Sequence, residues 1–344
     1  MRKSSKLATL FAALLGTASV QAATLIPVPS VPGSAVTAVQ AINDNNVIAG
    51  YYDNGDGVPH GFYGTLDGNY TTFDFDNVND PGTELRGIND KGVIVGIANQ
   101  AAGNTFEVLE FERYADGTVK VIANAGTPVH GTVGDINAKG IFAAENFNED
   151  LSVDGYTGKK AKVKTTVDLG FTAIRVRPRA VLQSGDVIGY TKVDNSTGYQ
   201  GFILHDGTAA LIDYPDPNAL QTLFEGANSK GIVSGIWEDS NGDEFGFIYD
   251  SRKAAFTPFA IPGYPQSAPF GVNAAGMIAV QGYTSDFSQV ASYIYCPKKP
   301  SKCPAGGFEV ADAKPVAMVP GFKPRAASNP AVAMPAKMRL LRDR

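Results

Sequence analysis

The stretch "GINDKGVIVG" at residues 87–96 returns along the chain as "AINDNNVIAG" from Ala41, "DINAKGIFAA" from Asp135, "AVLQSGDVIG" from Ala180, "GANSKGIVSG" from Gly226 and "GVNAAGMIAV" from Gly271. Anchored on the Asn of "IND", the copies sit at Asn43, Asn89, Asn137, Leu182 in the Asn position, Asn228 and Asn273, with steps of 46, 48, 45, 46 and 45 residues. A unit this short cannot bury its own apolar face, so repeated units must pack on one another. The copies are rich in Gly, Val, Ile, Phe, Tyr and Thr and show no sustained helical periodicity before the tail, which selects strands. In the first copy, residues 37–43 and 46–52 form one strand pair across Asp44–Asn45, and residues 60–66 and 69–75 a second across Asp67–Gly68, a strong hairpin dipeptide. The first hairpin repeats at Gly92, Gly140, Gly185, Gly231 and Gly276, where a turn needs positive φ.

Four strands per copy and six copies predict an all-β, six-bladed β-propeller over residues 23–313. The segment before the first "IND" resembles the last strand and exit loop of a copy. Thr24–Val28 is therefore expected to complete the sixth sheet and leave no unpaired edge at the joint.

Residues 1–22 combine Arg2, Lys3 and Lys6, an apolar run from Leu7 to Leu15 and small residues ending at Ala22, the pattern of a cleaved export signal. A buried N-terminal helix is the alternative. Cys296 and Cys303 bracket one short loop and are expected to form a disulfide, because a zinc site needs further Cys or His ligands nearby. The predicted location is extracellular or periplasmic.

The net charge of −5 hides two opposed segments. Without the three cations of residues 1–22 it is −8, and residues 314–344 hold seven Lys or Arg against one Asp, so residues 23–313 carry about −14. An acidic body excludes nucleic acid as the main partner. The tail, rich in Pro and Ala, is expected to be disordered, with peripheral contact to an anionic envelope as the sharper alternative.

The "G-I-N-D-x-G-x-I-V-G" core, "HGF" at 60–62 with "QGF" at 200–202 and "FGF" at 245–247, and "PGS" at 32–34 resemble the HAF-type extracellular repeat family of secreted bacterial proteins. The resemblance covers most of residues 24–295, with a degenerate third copy. It implies a fold and an exported location but no reaction.

The repeated Asn is expected to bracket its turn, since Asn hydrogen-bonds the backbone beside it. The Gly-Phe pairs are expected to pack between sheets. His60 and His205 read as packing or turn residues, whereas His130 lies in a segment feeding an innermost strand. Loops of that kind converge on the channel mouth and carry different polar groups from copy to copy: Glu84, Arg86, His130, Arg175, Arg177, Gln221, Glu225 and Gln266 are the candidate ligand-binding set. "EDSNGDE" at 238–244 alternates Asp239, Asn241 and Asp243, oxygen ligands suited to Ca²⁺, although it lacks the distal bidentate Glu of a full EF-hand loop. No nucleophile elbow, zincin motif, phosphate loop or dinucleotide fingerprint occurs, and no catalytic residue is assigned. The expected role is non-enzymatic binding of a glycan or surface protein by a monomer at one propeller face. A carbohydrate-active hydrolase or lyase at the channel mouth is the alternative.

Overall fold

The computed structural model describes residues 23–75, 82–102, 105–297, 303–310 and 316–317, with backbone only at 99–102, 105–107 and 316–317. Among them every regular element is a strand. Strand β1 (Ala23–Pro27) precedes the first copy, which is an antiparallel four-stranded sheet of β2 (Val36–Ile42), β3 (Val47–Asp53), β4 (His60–Thr65) and β5 (Tyr70–Phe73). These lie within two residues of the strands expected from sequence at either end. The second copy repeats the sheet as β6 (Thr83–Ile88), β7 (Ile94–Ala102), β8 (Thr105–Arg113) and β9 (Val119–Val121). The hairpin between the first two strands turns through positive φ at Gly92, Gly140, Gly185, Gly231 and Gly276, and at Asn46 in the first copy. Asn tolerates this region better than other residues bearing a Cβ.

The third copy departs from the pattern. A short hairpin, β10 (Ala123–Asn124) and β11 (Thr127–Pro128), comes first, and β12 (Ile141–Phe147), β13 (Val153–Lys159) and β14 (Lys162–Thr166) follow. Its innermost segment forms only the isolated bridges Leu109↔His130 and Ile136↔Phe142 in place of a strand, with further single hydrogen bonds such as Gly134 N to Ala143 O at 2.9 Å and Phe147 N to His130 O at 2.7 Å. That segment contains Gly131 and Gly134, where a Cβ would lie 2.2 Å from Glu145 O and 2.4 Å from Arg179 O. Close approach of neighbouring backbones, without side chains to set a register, explains the missing strand. The fourth copy, β15 (Arg175–Val181), β16 (Val187–Lys192), β17 (Gln200–His205) and β18 (Thr208–Ile212), joins the third through a parallel bridge at Val153↔Arg175. The two copies thus share one nine-stranded sheet, and the six copies occupy five hydrogen-bonded sheets where six separate ones were expected.

The fifth copy is β19 (Gln221–Ala227), β20 (Ile232–Glu238), β21 (Glu244–Asp250) and β22 (Ala255–Phe259). The sixth contributes β23 (Gln266–Val272), β24 (Ile278–Tyr283) and β25 (Val290–Cys296), and β1 pairs antiparallel with β25, Thr24 opposite Cys296. The Cys296–Cys303 disulfide, with Cα atoms 6.0 Å apart, leads to β26 (Phe308–Val310), which pairs with β1. Strand β27 (Val316–Ala317) then adds to the outer edge of β22. Within the segment expected to be disordered, residues 316–317 are thus the part described, as an edge strand. Residues 318–344 and the leader, 1–22, lie outside the described residues.

The core sits between neighbouring sheets. Ala180, Ile188 and Ile212 of the fourth copy meet Phe224, Val233, Phe247 and Phe256 of the fifth. Met277, Ala279 and Ile294 of the sixth meet Val39, Ile48 and Phe62 of the first. The Phe of each Gly-Phe pair, Phe62, Phe202 and Phe247, is fully buried, a contribution of roughly 1.5–3 kcal/mol for such a side chain. A threonine at the first or second position of several inner strands pins the crossing that feeds it: Thr37 Oγ1 accepts from Val31 N at 3.0 Å, Thr83 Oγ1 from Phe75 N at 2.9 Å and Thr222 Oγ1 from Tyr214 N at 2.8 Å.

Candidate functional site

Strand direction gives the ring two ends. Innermost strands start at what we call the upper end, together with the loops joining second to third strands. They finish at the lower end, in the Asn hairpins.

At the lower end each Asn does two things. Asn43 Oδ1 accepts from Asn45 N at 3.0 Å and Val47 N at 2.9 Å, closing its own turn. Its Nδ2 donates across to Asn89 O at 3.1 Å. The same link runs from Asn89 to Asn137 O at 3.2 Å, Asn137 to Leu182 O at 3.3 Å, Asn228 to Asn273 O at 2.9 Å and Asn273 to Asn43 O at 3.1 Å. Leu182 has no side-chain amide to donate to the fifth copy. The Asp of "IND" braces the same joints: Asp90 Oδ1 accepts from Asp44 N at 2.9 Å, and Asp44 Oδ1 from Ala274 N at 2.6 Å. The turn bracket expected from sequence is also an inter-copy bracket.

Nearer the upper end the axis is lined by charge. Five inner strands carry a register shift around the residue three before the Asn position, namely Gln40, Arg86, Arg179, Glu225 and the uncharged Phe270. A bulge re-aims one side chain per strand. Arg86 Nη2 lies 2.9 Å from Glu84, and Arg179 Nε lies 3.5 Å from Glu225 in the next copy. Arg177 forms a fork on Glu145, Nε to Oε2 at 2.9 Å and Nη2 to Oε1 at 2.7 Å, and Thr132 also donates to Glu145. Arg179 Nη2 donates to Tyr190 Oη at 2.6 Å.

The electrostatics follow from this convergence. Burial raises Tyr51, helped by the Glu84 charge and opposed by Arg86. Burial likewise raises Tyr283, which feels Tyr51, Arg86 and Glu225. Side chains of five copies thus share one neighbourhood. Burial, then the adjacent Glu145 carboxylate, pushes Glu110 well above the usual carboxylate range. Burial opposes charge on Glu145 as well, but Arg177 and Arg179 hold it below that range. Glu110 and Glu145 are both 0 % exposed, so this split pair is closed to a substrate.

Of the ligand-binding set expected in loops, every residue but His130 lies on an innermost strand, Arg175, Gln221 and Gln266 at its first position, whereas Asp239, Asn241 and Asp243 lie in the loop between β20 and β21. Glu84, Arg177 and Gln266 are buried. Arg86 and Glu225 reach the shared neighbourhood. Arg175 turns aside, Nη1 donating to Tyr199 Oη at 2.9 Å and Nε to Leu151 O at 3.3 Å. Gln266 joins two copies through Glu244 N at 3.0 Å and Ser285 O at 3.3 Å. His130 N donates to Asn146 Oδ1 at 3.2 Å. The sequence argument missed Arg179, Glu110, Glu145, Tyr190 and Tyr283. Arg179 was accessible, standing three residues before Leu182 as Arg86 stands before Asn89 and Glu225 before Asn228.

Two aromatic pairs occupy equivalent positions at the upper end. Tyr52 and His60 lie with ring centroids 5.2 Å apart, and Trp237 and Phe245 stack at 4.5 Å, with Tyr214 stacked on Trp237 at 5.1 Å. Tyr52, His60, Trp237 and Phe245 are each partly exposed. His60 Nδ1 sits 3.1 Å from Asp74 and Nε2 3.5 Å from Asp56; burial disfavours the imidazolium, but these carboxylates hold its pKa above the ordinary value. His205, at the lower end, pairs with Asp186 at 2.8 Å. Beside Trp237, Asp239 Oδ1 accepts from Asn241 N at 2.8 Å and Asp243 N at 3.1 Å, and Asn241 Nδ2 donates back to Asp239 Oδ2 at 3.2 Å. Asp53 and Asp194 cap the equivalent loops of other copies in the same way. Among the described residues no group of three His, Cys, Asp or Glu is placed to hold a metal ion.

The sequence matches no family model and no curated protein. Solved structures share its overall shape. AofleA from Arthrobotrys oligospora aligns with a TM-score of 0.50 at 10% identity over 85% of this chain and 89% of that one. The SapL1 lectin in complex with α-methyl fucoside gives 0.49 at 12% over 86% and 98%. The β-propeller domain of the Trilobed protease from Pyrococcus furiosus gives 0.43 at 9% over 84% and 97%. At such identities the likeness is one of fold. Together with the chain's own sheets, it makes this an all-β, propeller-like ring.

Proposed function

We propose that the chain is an exported six-bladed propeller of the HAF type that binds a glycan at its upper end and does not turn it over. Six blades are supported by the Asn links, which run from the first copy to the fourth and from the fifth through the sixth back to the first. A cavity at the lower end receives residues from all six copies. Export is supported by the leader pattern and by the disulfide, a bond that persists in oxidising compartments.

The observation that carries the binding reading is the placement of partly exposed aromatic pairs, Tyr52/His60 and Trp237/Phe245, beside carboxylate-bearing loops. An aromatic ring offers a flat apolar surface to the C–H face of a pyranose, and neighbouring carboxylates accept its hydroxyls. Against turnover, Glu84, Glu145 and Glu225 each face an arginine, so among the described residues these axial carboxylates are engaged in ion pairs. Residues 23–344, applied to a glycan array with and without Ca²⁺, test the reading. Selective retention without cleavage products is expected, and α-methyl fucoside is a useful first competitor. Cleavage of a retained glycan would move the function to the hydrolase or lyase class. Loss of binding on chelation would bring Asp239, Asn241 and Asp243 into the site.

A further inference from the structure

The lower axial cavity has a volume of about 330 Å³, within the range of small-molecule pockets. Its lining includes the aliphatic residue that precedes the Asn position in each copy: Ile42, Ile88, Ile136, Val181, Ala227 and Val272. It contains no Lys, Arg or His, but it does contain Asp44, Asp90 and Asp135. The first two brace the hairpin joints. Asp135 does something different.

Asp135 stands two residues before its Asn, where the other copies have Ala41, Gly87, Ala180, Gly226 and Gly271. Small residues suit this position because neighbouring inner strands nearly touch there. A Cβ on Gly226 would lie 2.4 Å from Phe270 O, and one on Gly271 would lie 2.9 Å from Ala41 Cα. In the third copy a carboxyl enters this crowded ring. Gly87 makes the room, since a Cβ on it would lie 2.5 Å from Asp135 Oδ1. That oxygen accepts from Ile136 N at 2.7 Å, its own neighbour in the chain. Burial pushes the carboxyl up to about 7, the Ile136 N–H alone opposing it. An acid crowded into a cavity whose lining holds no Lys, Arg or His destabilises the fold, and a ligand that supplies the cation removes that penalty.

We propose that the lower axial cavity binds a small organic ammonium ion, its N–H groups on the Asp135 carboxylate and its hydrocarbon body against the Ile and Val side chains of the ring. The ring of aliphatic side chains gives a hydrocarbon body contact that a bare inorganic cation cannot use. Asp44 and Asp90 add negative potential without leaving their structural bonds. The site is separate from the aromatic pairs at the upper end and independent of any glycan.

Cyclohexylammonium chloride, titrated calorimetrically into the protein, tests this, with cyclohexanol and ammonium chloride as separate titrants. One-to-one saturable binding of cyclohexylammonium is expected, with either comparison titrant weaker by about tenfold or more. Asp135→Ala should weaken it by a similar factor while leaving the melting temperature equal or higher, since Ala is the residue at 41 and 180. Asp135→Asn, nearly isosteric, gives the same readout if the Ala variant misfolds. Trp237→Ala should leave amine binding unchanged. Absence of saturable binding to the natural protein, or equal affinity in the Asp135 variants, would overturn the proposal.

Discussion

Asn228 shows how much one side chain does in this ring. Its Oδ1 closes a turn and its Nδ2 crosses to Asn273 O, and the residue is buried. Asn228→Ala strands several backbone groups and should cost about 1–3 kcal/mol in urea unfolding. Leu182→Asn is the converse, supplying the one missing link, and should raise stability by roughly 0.5–1.5 kcal/mol. A loss from Leu182→Asn would show that the fourth copy is fitted to Leu and that the links are not equivalent. Asp135 gives a pH prediction. Its folded pKa is raised from 3.8 to about 7, so across that window the folded state holds a proton the unfolded state has released. Stability therefore falls as pH rises from about 4 to 7, and Asp135→Ala flattens the curve. Parallel curves for the two proteins would contradict this. The Asn position was legible because it repeats and the turn chemistry of Asn is local. Asp135 was not, since its oddity appears only when the ring brings Gly87 against it.

Among the elements, the third copy is the exception that explains its surroundings. Its inner segment forms two isolated bridges where other copies have a strand, and Arg177 on β15 ties it to the fourth copy through Glu145 on β12. Both partners are about fully buried, with exposures of 1% and 0%. Glu145→Leu leaves a buried guanidinium unpaired and should cost about 3–5 kcal/mol, while Glu145→Leu with Arg177→Leu should recover much of it. A double-variant loss equal to the sum of the two single losses would mean that the pair is not coupled. Strand positions in the first copy were readable from alternation and turn residues. The third copy was readable only as degenerate, because glycines carry no periodicity. The acidic loop at 238–244 reads as a cation site by composition, yet Asp239 spends its oxygens on its own loop amides, a use that sequence spacing does not distinguish from ligation.

For the whole molecule, the repeat period revealed a ring, and the likeness of the N-terminal segment to an outer strand revealed β1 as the partner of β25. Amides of Leu25 and Ile26 are thus expected to exchange with solvent as slowly as those of β25, and exchange at the rate of a frayed terminus would contradict that pairing. The charged axis was less legible, because Arg86, Arg179, Glu225 and Tyr283 come from different copies and meet only after the ring forms. The additions of β26 and β27 lay beyond any repeat and left no pattern to read. Trp237 is the single tryptophan of the chain and sits in the upper aromatic stack, so its fluorescence reports on the proposed glycan site without a label. The decisive measurement is a titration of a retained array glycan, followed by Trp237 emission with product analysis in the same sample. A saturable change in emission with the glycan intact, abolished together with binding in Trp237→Ala, is the predicted result. Binding that leaves the emission unchanged and survives Trp237→Ala, or a glycan that is cut as it binds, would contradict it.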